Sequence, residues 1–195
     1  MTSLANAPDV TLTDTNTLEE DIVQATSEWG PDLCPLAPEG VNSGTATGDQ
    51  LPSMGFQSCD GESFDLNELC GADATWIFFA HSWCGDCQAT AGFAETVHGY
   101  FQDANVAVVQ IVVHSFDKNL PTSADCESWK DLYQLTNVVT LFDPIFLMVQ
   151  LAETGQTGQS VFLDKNRVIK KKLHVFTEAE VIGEIQAILS EQETR

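Results

Sequence analysis

Basic side chains are scarce in this chain. Only 8 of 195 residues are Lys or Arg against 29 Asp or Glu, a net charge of −21 at pH 7, and residues 1–117 hold 18 acidic side chains and no basic one. Such a field repels phosphate backbones and anionic headgroups, which argues against nucleic acid and anionic membrane surfaces as partners. The acidic excess reads either as a solvated surface or as a docking face for a basic partner. Long hydrophobic runs are also missing. No stretch approaches the ~20 apolar residues of a membrane span, and the first thirty residues lack a basic and then apolar leader. The chain as written is expected to be soluble and unaddressed, with membrane attachment only through an anchor it does not itself carry.

What is present is a folding composition: 43% hydrophobic residues, with eleven Phe and four Trp. Six cysteines, Cys34, Cys59, Cys70, Cys84, Cys87 and Cys126, suffice for one catalytic pair plus one or two structural bridges in an oxidising compartment.

Residues 1–50 are rich in Thr, Asp, Asn, Gly and Pro and read as an irregular acidic leader, with a short helix possible over Leu18–Trp29. Residues 51–195 read as one compact domain. Asp65 and Glu68 have capping-box spacing, which predicts a small strand at Ser63 and Phe64 and a helical turn over Leu66–Cys70 stopped by Gly71. Trp76–Ala80 and Val106–Val113 are apolar runs of strand length, and Phe93, Ala94, Val97, Tyr100 and Phe101 between them recur at helical spacing. This is a β-α-β unit with a right-handed crossover. A second helix is expected over Cys126–Leu135 with Trp129, Leu132 and Tyr133 inward, and another over Ile145–Ala152 after the Asp143-Pro144 turn. Val161–Leu163 and Val168–Lys172 predict a hairpin, and Thr177 with Glu180 caps a closing helix. The fold class is α/β, a mixed central sheet with helices on both faces.

The chemical signal is Trp83-Cys84-Gly85-Asp86-Cys87, placed between the strand Trp76–Ala80 and a helix beginning near Gln88. A helix N-terminus offers free amide donors and partial positive charge, both of which stabilise a thiolate on Cys84. Cys87, in the first turn, then resolves the mixed disulfide that Cys84 forms. A zinc site is the structural alternative, but a second ligand pair at zinc spacing is absent.

With Asp60–Leu66, Trp76–Cys87, Ser160–Val168 and the closing helix, the chain from about Leu51 to Leu189 resembles the thioredoxin superfamily. Within it, the nearest resemblance is to the TlpA- and ResA-like oxidoreductases of the redoxin group. The resemblance implies a thioredoxin-like fold and dithiol-disulfide exchange without a bound cofactor. It further implies a disulfide-containing protein substrate, a thiol electron donor and an extracytoplasmic (periplasm or cell envelope) home; the residues themselves leave the cytoplasm open.

Against that family pattern, no proline occurs between Pro144 and Arg195, and Gly158 takes the place of the cis-proline that faces the cysteines. Thr157 and Gly158 therefore join Trp83, Gly85 and Asp86 as substrate-binding or tuning residues. The Thr157–Gly158 bond is expected to be trans, and Gly158→Pro to raise turnover. Thr90 and Gly92 replace a common acid and a helix proline, and Phe78 stands where thioredoxin proper has a buried acid. Asp86 either raises the thiol pKa and favours a reductant or points harmlessly to water. His81, three residues before Cys84, replaces the threonine a peroxiredoxin would carry.

The leading reading is a reductant or isomerase. Beside it stand a copper-binding metallochaperone using Cys84, Cys87 and His81, and a redox-inactive scaffold. His98, His114 and His174 are read as surface or strand-end residues. For the remaining cysteines, Cys59–Cys70 is the expected bridge across the β-α corner and Cys34–Cys126 the pair left over, with buried free thiols as the alternative.

Overall fold

A computed structural model describes residues 29–151, 157–174 and 176–194. The described strands are β1 (Gly55–Ser58), β2 (Ser63–Asp65), β3 (Ala74–His81), β4 (Val106–His114), β5 (Val139–Phe142), β6 (Gln159–Asp164) and β7 (Ile169–His174). The α-helices are α1 (Gly85–Tyr100), α2 (Ser123–Tyr133) and α3 (Glu178–Glu193). The strands form one mixed sheet in the order β2-β1-β5-β4-β3-β6-β7. Strands β3, β4 and β5 run parallel, and β1, β2, β6 and β7 join through antiparallel pairs.

Every residue of β3 is buried, as a central strand covered on both faces requires. Trp76, Phe78 and Ala80 face one core with Cys87, Ala91 and Ala94 of α1, Trp129 of α2 and Val181, Ile185 and Ile188 of α3. Ile77 and Phe79 face the other with Leu51, Met54, Leu66, Leu69 and Met148. Helical cover thus takes two forms: α-helices on the first face, and the 3-10 turns Leu66–Leu69 and Leu147–Gln150 with adjoining loop on the second. Each fully buried aromatic contributes about 2–3 kcal/mol.

Several expectations change at this level. The strands β1 and β5 were not foreseen; each has only four residues. Helix α2 starts at Ser123 because Thr122 and Asp125 form a capping box. Its buried stripe is Cys126, Trp129 and half-buried Tyr133, and Leu132 falls beside that stripe, 58% exposed rather than inward. The helix expected over Ile145–Ala152 is a 3-10 turn, Leu147–Gln150. The buried Asp143 carboxylate accepts the Met148 N–H at 2.7 Å and the Ile145 N–H at 3.3 Å, and Phe146 is left-handed at φ 61°, which breaks a helix there.

The helix considered over Leu18–Trp29 lies outside the described residues apart from Trp29. Residues 29–50 are tied to the domain. Trp29 Nε1 donates to Asn105 Oδ1 at 2.6 Å, Gly30 N–H to Cys70 O at 2.8 Å, and Gln50 Nε2 to Pro35 O and Asn166 O. The disulfides also differ from expectation: Cys34 pairs with Cys70 and Cys59 with Cys126. The β1–β5 pairing carries Cys59 over the sheet to α2, where the Ser123 hydroxyl donates to Cys59 O, so Cys59 cannot meet Cys70.

Candidate active site

The C-terminal end of β3 delivers the cysteine pair. Ser82 N–H donates to His114 O at 3.0 Å and Cys84 N–H to His81 O at 2.9 Å, which closes a turn and lets α1 begin at Gly85, three residues before the expected start. Cys84 is the N-cap of α1, its Sγ accepting the Cys87 N–H at 3.4 Å. A second partner comes from the β6 side, the Thr157 hydroxyl 3.7 Å from Cys84 Sγ.

The two thiols are unequal. Burial pushes the Cys84 thiol up, but hydrogen bonds from the Cys87 thiol and amide, the Thr157 hydroxyl and the Asp86 amide outweigh it and hold the pKa below the ordinary value. Cys87 is fully buried, and burial first, then its role as donor to Cys84, pushes its pKa far up. Cys84 is 9% exposed, so the thiol that ionises more readily is also the one that solvent reaches. The Asp86 side chain is exposed and its charge acts on Cys87, not on Cys84, so of its two readings the solvent-facing one fits.

Gly158 lies against the pair. A Cβ built on it would come 3.0 Å from Cys87 Sγ, and its φ of +73° suits glycine. The Thr157–Gly158 bond is trans. Proline needs φ near −65°, so the expected gain from Gly158→Pro is withdrawn: that ring does not fit this backbone. Beneath the dithiol, Phe78 is fully buried and packs edge-on to Phe176 at 5.8 Å. Thr90 is buried and spends its hydroxyl on Asp86 O at 3.0 Å, and Gly92 is exposed. Gly85 is exposed at the helix start, and Trp83, 38% exposed, flanks Cys84 under the Lys118 ammonium, 4.8 Å from its ring.

The feature missed in the sequence is a histidine pair. His81 and His114 stack at 4.8 Å with their Nδ1 atoms 2.8 Å apart, so one Nδ1–H donates to the other ring. Burial, and then the His114 charge, lowers the His81 pKa to about 4; burial also lowers that of His114, with Asp143 opposing. Both residues end the parallel strands β3 and β4, and they meet only through a register shift between Ala80 and His81, which the sequence does not signal. Among the described residues no group of three or more His, Cys, Asp or Glu side chains is arranged to hold a metal ion, so the set Cys84, Cys87 and His81 expected for copper is not gathered in this structure. His98 is half-buried on α1 and His174 exposed at the end of β7.

Solved structures with this architecture include a protein described as thiol:disulfide interchange protein DsbE from Chlorobium tepidum, 20% identical, with TM-score 0.61 over 74% of this chain and 98% of that one. A secreted disulfide oxidoreductase of Mycobacterium tuberculosis is 19% identical, with TM-score 0.57 over 69% and 95% of the two chains. The exposed lipoprotein thioredoxin Etrx1 of Streptococcus pneumoniae is 20% identical, with TM-score 0.57 over 70% and 99%. At these identities the likeness establishes a thioredoxin-like fold. No curated protein matches the chain with comparable significance. Residues 47–191 match the AhpC/TSA family, and the chain belongs to it.

Proposed function

We propose that this protein is a thiol-disulfide oxidoreductase that exchanges disulfides of protein substrates through Cys84 and Cys87, as a reductant or isomerase. The observation that carries this reading is the inequality of the pair: an accessible thiol held below its usual pKa at the start of α1, and a buried partner held protonated. The Cys84 thiolate attacks one sulfur of a substrate disulfide, forming a mixed disulfide and expelling the other substrate sulfur as a thiolate, which takes a proton from water. Cys87 then loses its proton and attacks Cys84 Sγ. The second substrate thiol leaves, and two electrons have passed from the dithiol to the substrate. A dithiol donor returns the Cys84–Cys87 disulfide to the reduced state. Burial of Cys87 disfavours its thiolate in the mixed disulfide too, which slows resolution and leaves time for a substrate to rearrange.

Thr157 and Gly158 border the approach to Cys84 and Cys87, and Trp83 offers an exposed aromatic face for an extended substrate segment. The two bridges outside the active pair support an oxidising, extracytoplasmic location, as do the words "secreted" and "exposed lipoprotein" attached to structural relatives. Among the described residues no helix is long and apolar enough to cross a membrane. The test is catalysed reduction of insulin by a dithiol and reactivation of a scrambled disulfide protein, each compared with Cys84→Ser. Loss of both activities in Cys84→Ser supports the reading, and parent activity no higher than Cys84→Ser overturns it.

A further inference from the structure

Away from the dithiol, a buried cation lies beside a disulfide. Arg167 is 9% exposed, and its Nη1 stands 3.8 Å from Cys70 Sγ and 4.0 Å from Cys34 Sγ, while Nη2 donates to Pro52 O at 3.1 Å. The residue is fixed from its backbone: its N–H donates to Asp164 O at 2.8 Å and its carbonyl accepts the Leu51 N–H at 2.9 Å. Among the described residues no carboxylate lies within ion-pair distance of the guanidinium. A buried charge without a counter-charge is costly, and two neutral sulfurs accept only weakly. A thiolate at that place would supply the missing negative charge. Burial lowers the Arg167 pKa, with the more distant Asp65 charge opposing, which is the signature of a desolvated cation.

We propose that Cys34–Cys70 is a second thiol-exchange site, which a small thiol opens by attacking Cys34 and expelling Cys70 as a thiolate held by Arg167. Cys34 is half-buried, whereas Cys70 is 1% exposed and closed to an incoming nucleophile. Cys34 Sγ also lies 3.6 Å from Asn67 O, a carbonyl that disfavours negative charge there. Both facts make Cys34 the attacked sulfur and Cys70 the leaving one. In the first step the S–S bond breaks, a bond forms between the thiol's sulfur and Cys34, and the electron pair leaves on Cys70. A second thiol then attacks the mixed disulfide, releasing Cys34 and carrying two thiols away as a disulfide, so a monothiol such as glutathione supplies both electrons. Opening removes the covalent tie between the segment around Cys34 and the 3-10 turn Leu66–Leu69. The other bridge is an internal reference. Cys59 and Cys126 are 3% and 0% exposed, and among the described residues no Lys or Arg nitrogen hydrogen-bonds to either sulfur.

The experiment equilibrates the full chain, and separately its Cys84→Ser variant, in glutathione buffers of stepped reduced-to-oxidised ratio, followed by acid quench, alkylation and peptide mapping. The site is independent of the proposed activity, so the same result is expected in both proteins. Cys34–Cys70 should open at a [GSH]²/[GSSG] at least about tenfold lower than Cys59–Cys126, since each unit by which a cation brings the released thiol's pKa below the buffer pH favours opening about tenfold. The longer loop of Cys59–Cys126, a separation of 67 against 36, accounts for only about 2.5-fold. Arg167→Met should close most of the gap, Arg167→Lys should retain it, and the glutathione adduct should map to Cys34. Should Arg167→Met fail to fold, the order of opening and the adduct position in the parent still decide. Both bridges opening together, an adduct on Cys70, or folded Arg167→Met with the parent's gap each overturns the proposal.

Discussion

Gly158→Ala probes the closest contact of the active site. At φ +73° an alanine pays for the left-handed backbone about 1–2 kcal/mol. Its Cβ would also stand 3.0 Å from Cys87 Sγ, on a thiol that is fully buried. Overpacking of this kind adds about 1–3 kcal/mol, for a total loss of about 2–5 kcal/mol in the reduced protein. Urea unfolding of reduced parent and variant measures it. A double-mutant cycle with Cys87→Ala separates the two terms, because removing Sγ relieves the contact and leaves the backbone strain. The coupling between Gly158→Ala and Cys87→Ala should be about 1–3 kcal/mol. A loss below about 0.5 kcal/mol for Gly158→Ala, or a coupling of zero, would refute the close approach of this backbone to Cys87.

Alkylation by iodoacetamide should favour Cys84, with a pH midpoint below that of an ordinary thiol; faster labelling of Cys87 would reverse the assigned roles. His81 binds its proton near 6.5 unfolded and near 4 folded, so the unfolded state carries more protons in that interval and stability rises with pH. Unfolding should thus cost about 3 kcal/mol less at pH 4 than at pH 7.5 from this group, the slope flattening in His81→Asn; an unchanged slope contradicts the shift. Removing the second bridge with Cys59→Ala and Cys126→Ala should cost about 4 kcal/mol from its loop length, read by urea unfolding, and a cost under 1 kcal/mol would contradict this.

The centre of the fold was legible because β3 and β4 are buried on both faces and therefore spelled as unbroken apolar runs. Capping boxes marked the Leu66–Leu69 turn and α3 for a local reason, side chain meeting backbone within four residues. The four-residue strands β1 and β5 carried no period of their own, since their pairing comes from the sheet. That omission concealed the bridges: without β1 beside β5, nothing in the sequence brings Cys59 to α2. At the site, Cys84, Cys87, Thr157 and Gly158 were placed by motif and strand alignment, and the structure gathers them within contact. His114 was read alone because a side chain's partner across parallel strands depends on register, which hydropathy does not state.

The central claim is that Cys84 attacks and Cys87 resolves. Incubating Cys87→Ser with a disulfide-bonded protein, quenching with acid and mapping the covalent adduct tests it most directly. The account predicts an adduct through Cys84 that persists in Cys87→Ser, and little or none through Cys87 in Cys84→Ser. Equal adducts in the two variants, or one formed only through Cys87, would contradict it.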